Sequence, residues 1–473
     1  MNTKKMNIKK IALFLVLIVG CKAAKEVQKP VLPIGTEFRN AALNTDTASI
    51  ADVQWKNFYT DGSLQELIDT ALIRNYDMQI ALKQLESAQL LFRQVKWNYI
   101  PELALNVTAS SSRPSDNSIT ALNTGQLRGG SSHVEDYAAG LQLSWEADIW
   151  GKIRNKNKAA LAVFLQTDEA RKLIQTDLVA RISQGYYNLL MLDTQLDIAQ
   201  KNVELNDSTL RIVRLQYEAG QVTSLAVQQI EAQRQAAAQL LPQFERNIVL
   251  QENALSILTG QLPSPVERRN RLSQLSIADD YSTGVPSAMV GRRPDVRSAE
   301  LALTISNANV GIARASLYPS LRITAGGGLN AFRATDWFNV PASLFGIVAG
   351  GITQPILNGR RLRTQYEIAR IEREQTVLAF RKSVLNAMGE VSDALNNMEK
   401  LKHQHRIATD RVTTLRKATA NAGLLFKNGL ANYLEVITAQ GNVLQGELEL
   451  ASLKRAELDA VSDLYRSLGG GWK

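Results

Sequence analysis

The stretch Asn98-Tyr99-Ile100-Pro101-Glu102-Leu103-Ala104-Leu105-Asn106-Val107-Thr108-Ala109 changes its hydrophobic period partway along. Upstream, Leu64, Leu67, Ile68, Ala71 and Leu72 recur at helical spacing, which predicts a helix from about Ser63 to Trp97. Ser63 is the expected N-cap, with Glu66 three residues on as in a capping box. The helix should stop at Tyr99-Ile100-Pro101, because a proline excludes helical backbone from the residue before it. From Leu103 the period is two: Leu103, Leu105, Val107 and Ala109 share one face, and Asn106, Thr108 and Ser110 the other. Past a polar loop over residues 113–136, Tyr137, Ala139, Leu141, Leu143 and Trp145 oppose Gln142, Ser144 and Glu146. Strands of roughly ten residues, apolar on one side and polar on the other, suit a transmembrane β-strand or one sheet of a soluble sandwich.

The same switch occurs twice. Ser316-Leu317-Tyr318-Pro319-Ser320-Leu321 echoes Asn98–Leu103, and the alternation returns in Leu321, Ile323, Ala325, Gly327 and, past a loop over 332–344, in Phe345, Ile347, Ala349, Gly351. Ile153-Arg154 and Ala160 pair with Leu362-Arg363 and Ala369. Tyr217-Glu218-Ala219-Gly220 pairs with Phe426-Lys427-Asn428-Gly429, and Leu258-Thr259-Gly260 with Ser467-Leu468-Gly469. Two copies of one unit predict a pseudosymmetric object. Each strand pair is followed by a long helix, expected over 152–217 and 361–426, whose seam keeps a heptad. That seam reads Leu189, Leu192, Leu196, Ala199, Val203, Asn206, Leu210, Val213, Tyr217 in the first copy. In the second it reads Met398, Leu401, His405, Ala408, Val412, Leu415, Thr419, Ala422, Phe426. A glycine then turns each helix (Gly220, Gly429) into a returning one, 225–258 and 434–468.

Residues 1–20 read as a signal peptide: Lys4, Lys5, Lys9 and Lys10 precede the apolar run Ile11 to Val19, which is too short to span a membrane. Cys21, the single cysteine, follows Gly20, so no internal disulfide and no thiolate metal site is available. Residues 21–62 are expected to form an extended tether, 63–260 the first repeat, 261–290 a linker, 291–469 the second repeat and 470–473 a tail. The formal charge of +9 falls to 9 − 4 = +5 without the signal lysines, which gives no reason to expect nucleic-acid binding. With three histidines and no phosphate-cradling loop there is no catalytic constellation, and no cofactor is expected. His403 and His405, two apart, do not share a helix face and so do not read as a metal pair.

Geometry points to a conduit. A helix of roughly 65 residues rises about 100 Å, and the helix before the strands plus the returning helix together match that length. Four strands cannot close a barrel, and open edges are not tolerated in lipid. If the strands lie in a membrane, several chains must share one barrel. Three would give twelve strands over twelve helical columns, with the loops 113–136 and 332–344 at the far end.

Gly291-Arg292-Arg293-Pro294-Asp295-Val296-Arg297-Ser298-Ala299-Glu300 resembles the RRPDVRxAE signature of outer-membrane efflux proteins. This is the TolC-like family, in the lipoprotein branch serving resistance-nodulation-division pumps. Residues 310–320, Gln354-Pro355-Ile356-Leu357-Asn358-Gly359-Arg360-Arg361-Leu362-Arg363 and Gly429-Leu430-Ala431-Asn432-Tyr433-Leu434 continue the likeness over the mature chain. The resemblance implies an α+β membrane protein: a long α-helical coiled-coil barrel joined to a transmembrane β-barrel shared by three subunits, with two internal repeats. It implies a gated, non-enzymatic outer-membrane exit duct of a tripartite pump in a Gram-negative bacterium, a homotrimer with its helical barrel in the periplasm. It also implies a periplasmic adaptor and an inner-membrane transporter as partners, and outer-membrane lipid around the barrel. The Leu17-Ile18-Val19-Gly20-Cys21 run resembles a lipobox, with acylation (palmitate included) at Cys21.

By position in the family, Tyr217, Gly220, Gln221 and Val222 would form one adaptor-docking tip and Gly429, Leu430 and Ala431 the other. Glu435, Thr438, Phe426, Leu430 and Leu434 would form the periplasmic gate. Thr438 stands where relatives carry aspartate, so Glu435 is the candidate for a ring of three carboxylates selecting cations. Phe426 and Ala431 replace the tyrosine and arginine of some relatives, which favours apolar closure. Trp145 and Trp150 read as an interfacial aromatic belt. Two alternatives remain open at this stage: an exit duct for protein secretion by an ABC-type system, and a soluble coiled-coil scaffold or adaptor.

Overall fold

The computed structural model describes residues 49–115, 117–119, 133–277 and 281–473. The signal segment and Cys21 lie outside the described residues. Nine helices follow among these: α1 Trp55–Phe58, α2 Gly62–Arg74, α3 Tyr76–Lys96, α4 Lys152–Glu218, α5 Ser224–Leu258, α6 Pro286–Arg292, α7 Pro294–Ala315, α8 Arg361–Lys427 and α9 Tyr433–Ser467. The strands are β1 Glu102–Ser112, β2 Val134–Ala147, β3 Ser320–Ala331 and β4 Leu344–Thr353. Each repeat thus runs helix, two strands, long helix, returning helix. The described chain groups into two compact units: Ala88–Phe164 with Leu301–Leu378, and residues 49–87 with Leu165–Glu300 and Ala379–Lys473.

The first unit is built on one antiparallel sheet of order β1-β2-β3-β4. Register pairs Leu105 with Leu141, Leu143 with Ala325 and Ala325 with Val348, so the apolar face is continuous across all four strands. In β4 this corrects the expected parity. Leu344, Val348 and Ile352 lie on the apolar face, whereas Phe345, Ile347 and Ala349 lie on the other, with Gln142 and Arg322. The reason is local. Gly140, Gly328 and Phe345 stand on one rung, and a side chain at Gly140 would begin 3.2 Å from the Phe345 ring. The ring covers Gly140, whereas a Cβ at Gly328 would meet Ala139 O at 2.1 Å.

The second unit holds the large core. Leu64 and Ile68 of α2, Ile182, Tyr186, Leu189 and Leu190 of α4, Leu255 of α5 and Tyr465 of α9 are buried together. Each such side chain contributes roughly 1.5–3 kcal/mol relative to exposure. The heptad seams are buried or half-buried along α4 and α8 except at Tyr217, which is exposed. Asp61, not Ser63, caps α2: its Oδ1 accepts from Leu64 N at 3.1 Å, and its carboxylate also receives Tyr186 Oη and Asn270 Nδ2.

The expected 63–97 helix is also broken, at Asn75. Asn75 Oδ1 accepts from Met78 N at 3.0 Å while its Nδ2 donates to Leu258 O at 2.9 Å. The second repeat breaks at the matching place, where Arg293 Nη1 donates to Ser467 O at 2.9 Å. Gly260 permits the first of these junctions: with φ +66°, an added Cβ would lie 2.4 Å from Arg74 O.

Candidate functional site

The two hairpin turns are built alike. Gly220 (φ +72°) donates to Tyr217 O and Gln221 N to Gln216 O, at 2.9 and 2.8 Å. Gly429 (φ +73°) donates to Phe426 O and Leu430 N to Leu425 O, at 3.1 and 2.9 Å. These are Schellman endings that satisfy the last helical carbonyls and require a left-handed residue. Asn432 then caps α9 by accepting from Glu435 N at 3.1 Å.

The tips meet through an apolar cluster: Leu210 and Val213 of α4, Ala226 and Ile230 of α5, Phe426 of α8 and Val436 of α9, with Val222 and Ala431 packed against it. Here the proposed gate set divides. Phe426 is only 6% exposed within one chain, where its ring joins the two hairpins. Leu430 and Leu434 are 76% and 52% exposed, and Glu435 and Thr438 are exposed on the same side of α9, opposite buried Val436 and Gln440. Tyr217, Gly220, Gln221 and Gly429 are also exposed. The structure therefore groups Leu434, Glu435 and Thr438 on one exposed face, buries Phe426 in the tip, and leaves Val222 and Ala431 half-buried at its surface.

Two further sets of contacts hold the hairpins. Within each hairpin, exposed ion pairs cross between its helices: Asp207 with Arg234 in the first, Arg411 with Glu449 at 2.7 Å and Arg416 with Glu447 at 2.6 Å in the second. Between hairpins the bonds are neutral and buried. Asn202 Nδ2 donates to Gln440 O at 3.3 Å and Gln440 Nε2 to Thr209 Oγ1 at 2.8 Å, while within α4 Asn206 Nδ2 holds Asn202 Oδ1 at 2.8 Å. Sequence reasoning missed this polar row. Its signal was present as polar residues recurring every seven positions in α4, at Asn188, Gln195, Asn202 and Thr209.

The RRPD block is a staple, not a lining. Arg293 is 5% exposed, bonds both oxygens of Asp295 at 2.9 and 2.7 Å, and reaches Glu390 at 2.9 Å. Burial works to raise the Asp295 pKa, but the guanidinium beside it outweighs that and holds it below the usual value. His405 Nδ1 lies 3.2 Å from the buried carboxylate of Glu457, and among the described residues no group of three or more His, Cys, Asp or Glu side chains gathers as a metal site would need.

At the sheet, aromatic residues gather at both ends. Tyr137 meets Trp337 (5.4 Å between centroids), which meets Phe338. At the other end Trp150 stacks on Tyr318 at 4.7 Å and donates to Pro319 O, and Trp145 donates to Tyr99 O. Tyr137 and Trp145 are eight residues apart on β2, about 26 Å along a strand, close to the ~25 Å apolar band of a membrane barrel. β1 and β4 are each paired on one side only.

Residues 67–261 and 285–470 match the family model described as outer membrane efflux protein. The chain is 27% identical over 463 residues to the cation efflux system protein CusC of Escherichia coli O6:H1, covering 96% of this chain and 97% of that one. It superposes on a crystal structure of CusC with TM-score 0.83, at 26% identity, over 95% of this chain and 100% of the other. It is 26% identical to the toluene efflux pump outer membrane protein TtgC of Pseudomonas putida (98% and 95% covered). Identity is also 26% to the probable outer membrane lipoprotein SilC of Salmonella typhimurium (96% and 97% covered).

Proposed function

The chain belongs to the outer membrane efflux protein family, and from that premise we propose how its parts divide the work of a trimeric exit duct. The protein is the outer-membrane channel of an efflux pump, with its helical hairpins in the periplasm. The observation that carries the reading is the four-stranded sheet with two half-paired edges and a continuous apolar face. Backbone groups on an open edge have no partner in lipid. Three copies pairing β4 of one to β1 of the next close a twelve-stranded barrel and remove every edge.

Conduction is passive, and energy enters through partners: a periplasmic adaptor seated on the tips at Tyr217, Gly220, Gln221, Val222, Gly429, Leu430 and Ala431, and a resistance-nodulation-division transporter. Residues 1–20 direct export, and lipid on Cys21 anchors the product, as the name of the lipoprotein relative SilC supports. Substrate choice belongs to the transporter; near-equal identity to a cation efflux system protein and a toluene efflux pump outer membrane protein supports this reading. The gate is lined by Leu430, Leu434, Glu435 and Thr438. Three Glu435 carboxylates brought together at the constriction favour cations. Planar-bilayer recording tests both levels. Unaltered protein extracted as a trimer should conduct with cation preference, and Glu435→Ala should lose that preference. A monomer without conductance removes the duct; unchanged selectivity removes Glu435 from the gate.

A further inference from the structure

The two helix breaks stand beside a cavity in the second unit. α3 begins just after Asn75 and α7 just after Arg293, and a cavity of about 510 Å³ is lined by these two helix starts, α4 and the end of α9. That is the size of a small-molecule site, ~300–1,000 Å³. Its walls on α3 and α4 are apolar. Ala81 is buried and Ile174 half-buried, while Ile80 and Leu173 are exposed at the edge.

The polar groups that line it are unequally satisfied. Asp177 is paired with Arg181 at 2.7 Å, and Asp295 is held by both nitrogens of Arg293. Asp77 stays exposed in the first turn of α3. Arg466 is the cation left over. Its nearest carboxylates, Asp463 and Glu390, lie at 3.7 and 4.0 Å, outside hydrogen-bond length. Both are already bonded elsewhere, Asp463 by Gln184 at 3.0 Å and Glu390 by Arg293 at 2.9 Å. Thr176 lines the same cavity. It is 4% exposed, and its hydroxyl, closed off from solvent, has no partner. A buried hydroxyl without an acceptor is a standing cost that a ligand oxygen would offset. The starts of α3 and α7, helices of 21 and 22 residues, add partial positive charge on the same side.

We propose that this cavity binds a medium-chain fatty acid. The carboxylate sits on Arg466 and Thr176, and the alkyl chain lies along Ile80, Ala81, Leu173 and Ile174. Exposed Asp77 repels a second negative charge, so the site selects one anionic head on an apolar body. Inorganic phosphate, which lacks that body, gains little from the walls. The site and the duct reading stand or fall separately, because ligand binding and conductance are measured apart.

Decanoate with an isotope-labelled carboxyl carbon, added to full-length protein in a nonionic detergent, tests the site by nuclear magnetic resonance. A bound signal should appear beside the micellar one and titrate at lower pH, because a guanidinium favours the ionised carboxylate. Arg466→Gln should weaken binding about tenfold or more. Each methylene removed from the chain should weaken it about fourfold. Decanol, with the same chain and no charge, should bind weakly and alike in the unaltered protein and Arg466→Gln. Leu173→Asp, at an exposed position where folding should be spared, should abolish binding of both, with circular dichroism confirming the fold. A bound signal that survives Arg466→Gln and Leu173→Asp would place decanoate elsewhere on the protein and overturn the site. So would the absence of any bound signal in the unaltered protein.

Discussion

Asp459 gives the sharpest pH prediction. It lies on α9 with Oδ1 buried and unbonded, and with Oδ2 3.0 Å from Arg455 Nε. Burial pushes its pKa from 3.8 up to about 6; Arg455 opposes the rise and Asp463 adds to it, while Tyr59 and Tyr187 face it from across the core. The folded chain therefore holds this proton more tightly than the unfolded one. Between roughly pH 4 and 6 the folded state is protonated and the unfolded state is not, so stability falls as pH rises through that window. Above it the penalty is complete, about 2 pK units or ~3 kcal/mol. Asp459→Asn removes the charge and keeps the shape. After the lost Arg455 attraction, it should stabilise the protein by ~1–3 kcal/mol at pH 7.5 and by little at pH 4. Urea unfolding followed by circular dichroism from pH 4 to 8 reads this directly. Parallel pH profiles for the two proteins would refute the reasoning, because they would mean that Asp459 ionises alike in both states.

Two other substitutions test the packing. Phe426→Ala opens a cavity where both hairpins meet and should cost ~3–5 kcal/mol locally. Hydrogen exchange should then accelerate around Leu210–Val213 and Val436, and unchanged protection there would show that the tips are held by something else. Arg293→Ala leaves Asp295, Glu390 and the Ser467 carbonyl without their donor, an expected loss of ~3–5 kcal/mol in unfolding free energy. Arg293→Lys should recover only part of it, because an ammonium cannot make the paired bonds to Asp295.

The helical half of this fold was legible because its signals are local and repeated. Gly220 and Gly429 mark turns that only a left-handed residue completes, and the apolar heptads fix which side of α4 and α8 is covered. What escaped is what depends on a distant partner. Asn75 looks like any helical surface residue until Leu258 O is placed beside it, and Asp61 becomes the cap only once Tyr186 and Asn270 hold its carboxylate in place. At the tip the orientation of one residue was legible in the heptad. Phe426 closes the heptad of α8, and a seam position is an inward one. The same pattern that identified the helix argued for burial within the chain, where Phe426 is found.

Strand parity in β4 was lost for a different reason, and it bears on the channel. Alternation is read from contrast between faces, and Leu344-Phe345-Gly346-Ile347-Val348-Ala349-Gly350-Gly351-Ile352 offers none, since both parities are apolar or glycine. Pairing decides it: Gly327 opposite Gly346 and Ala325 opposite Val348 bind β4 to the face already fixed by Leu141 and Leu143. The consequence is that Phe345 and Ile347 turn toward the side carrying Asn106, Gln142 and Arg322, the wet interior of the closed barrel. Three copies place three Phe345 rings there, each covering Gly140 of its own chain. The rings shield backbone that would otherwise face water without side-chain cover, and narrow the bore from the wall. A side chain at Gly140 would displace the ring inward, so the glycines and the phenylalanine constrain one another.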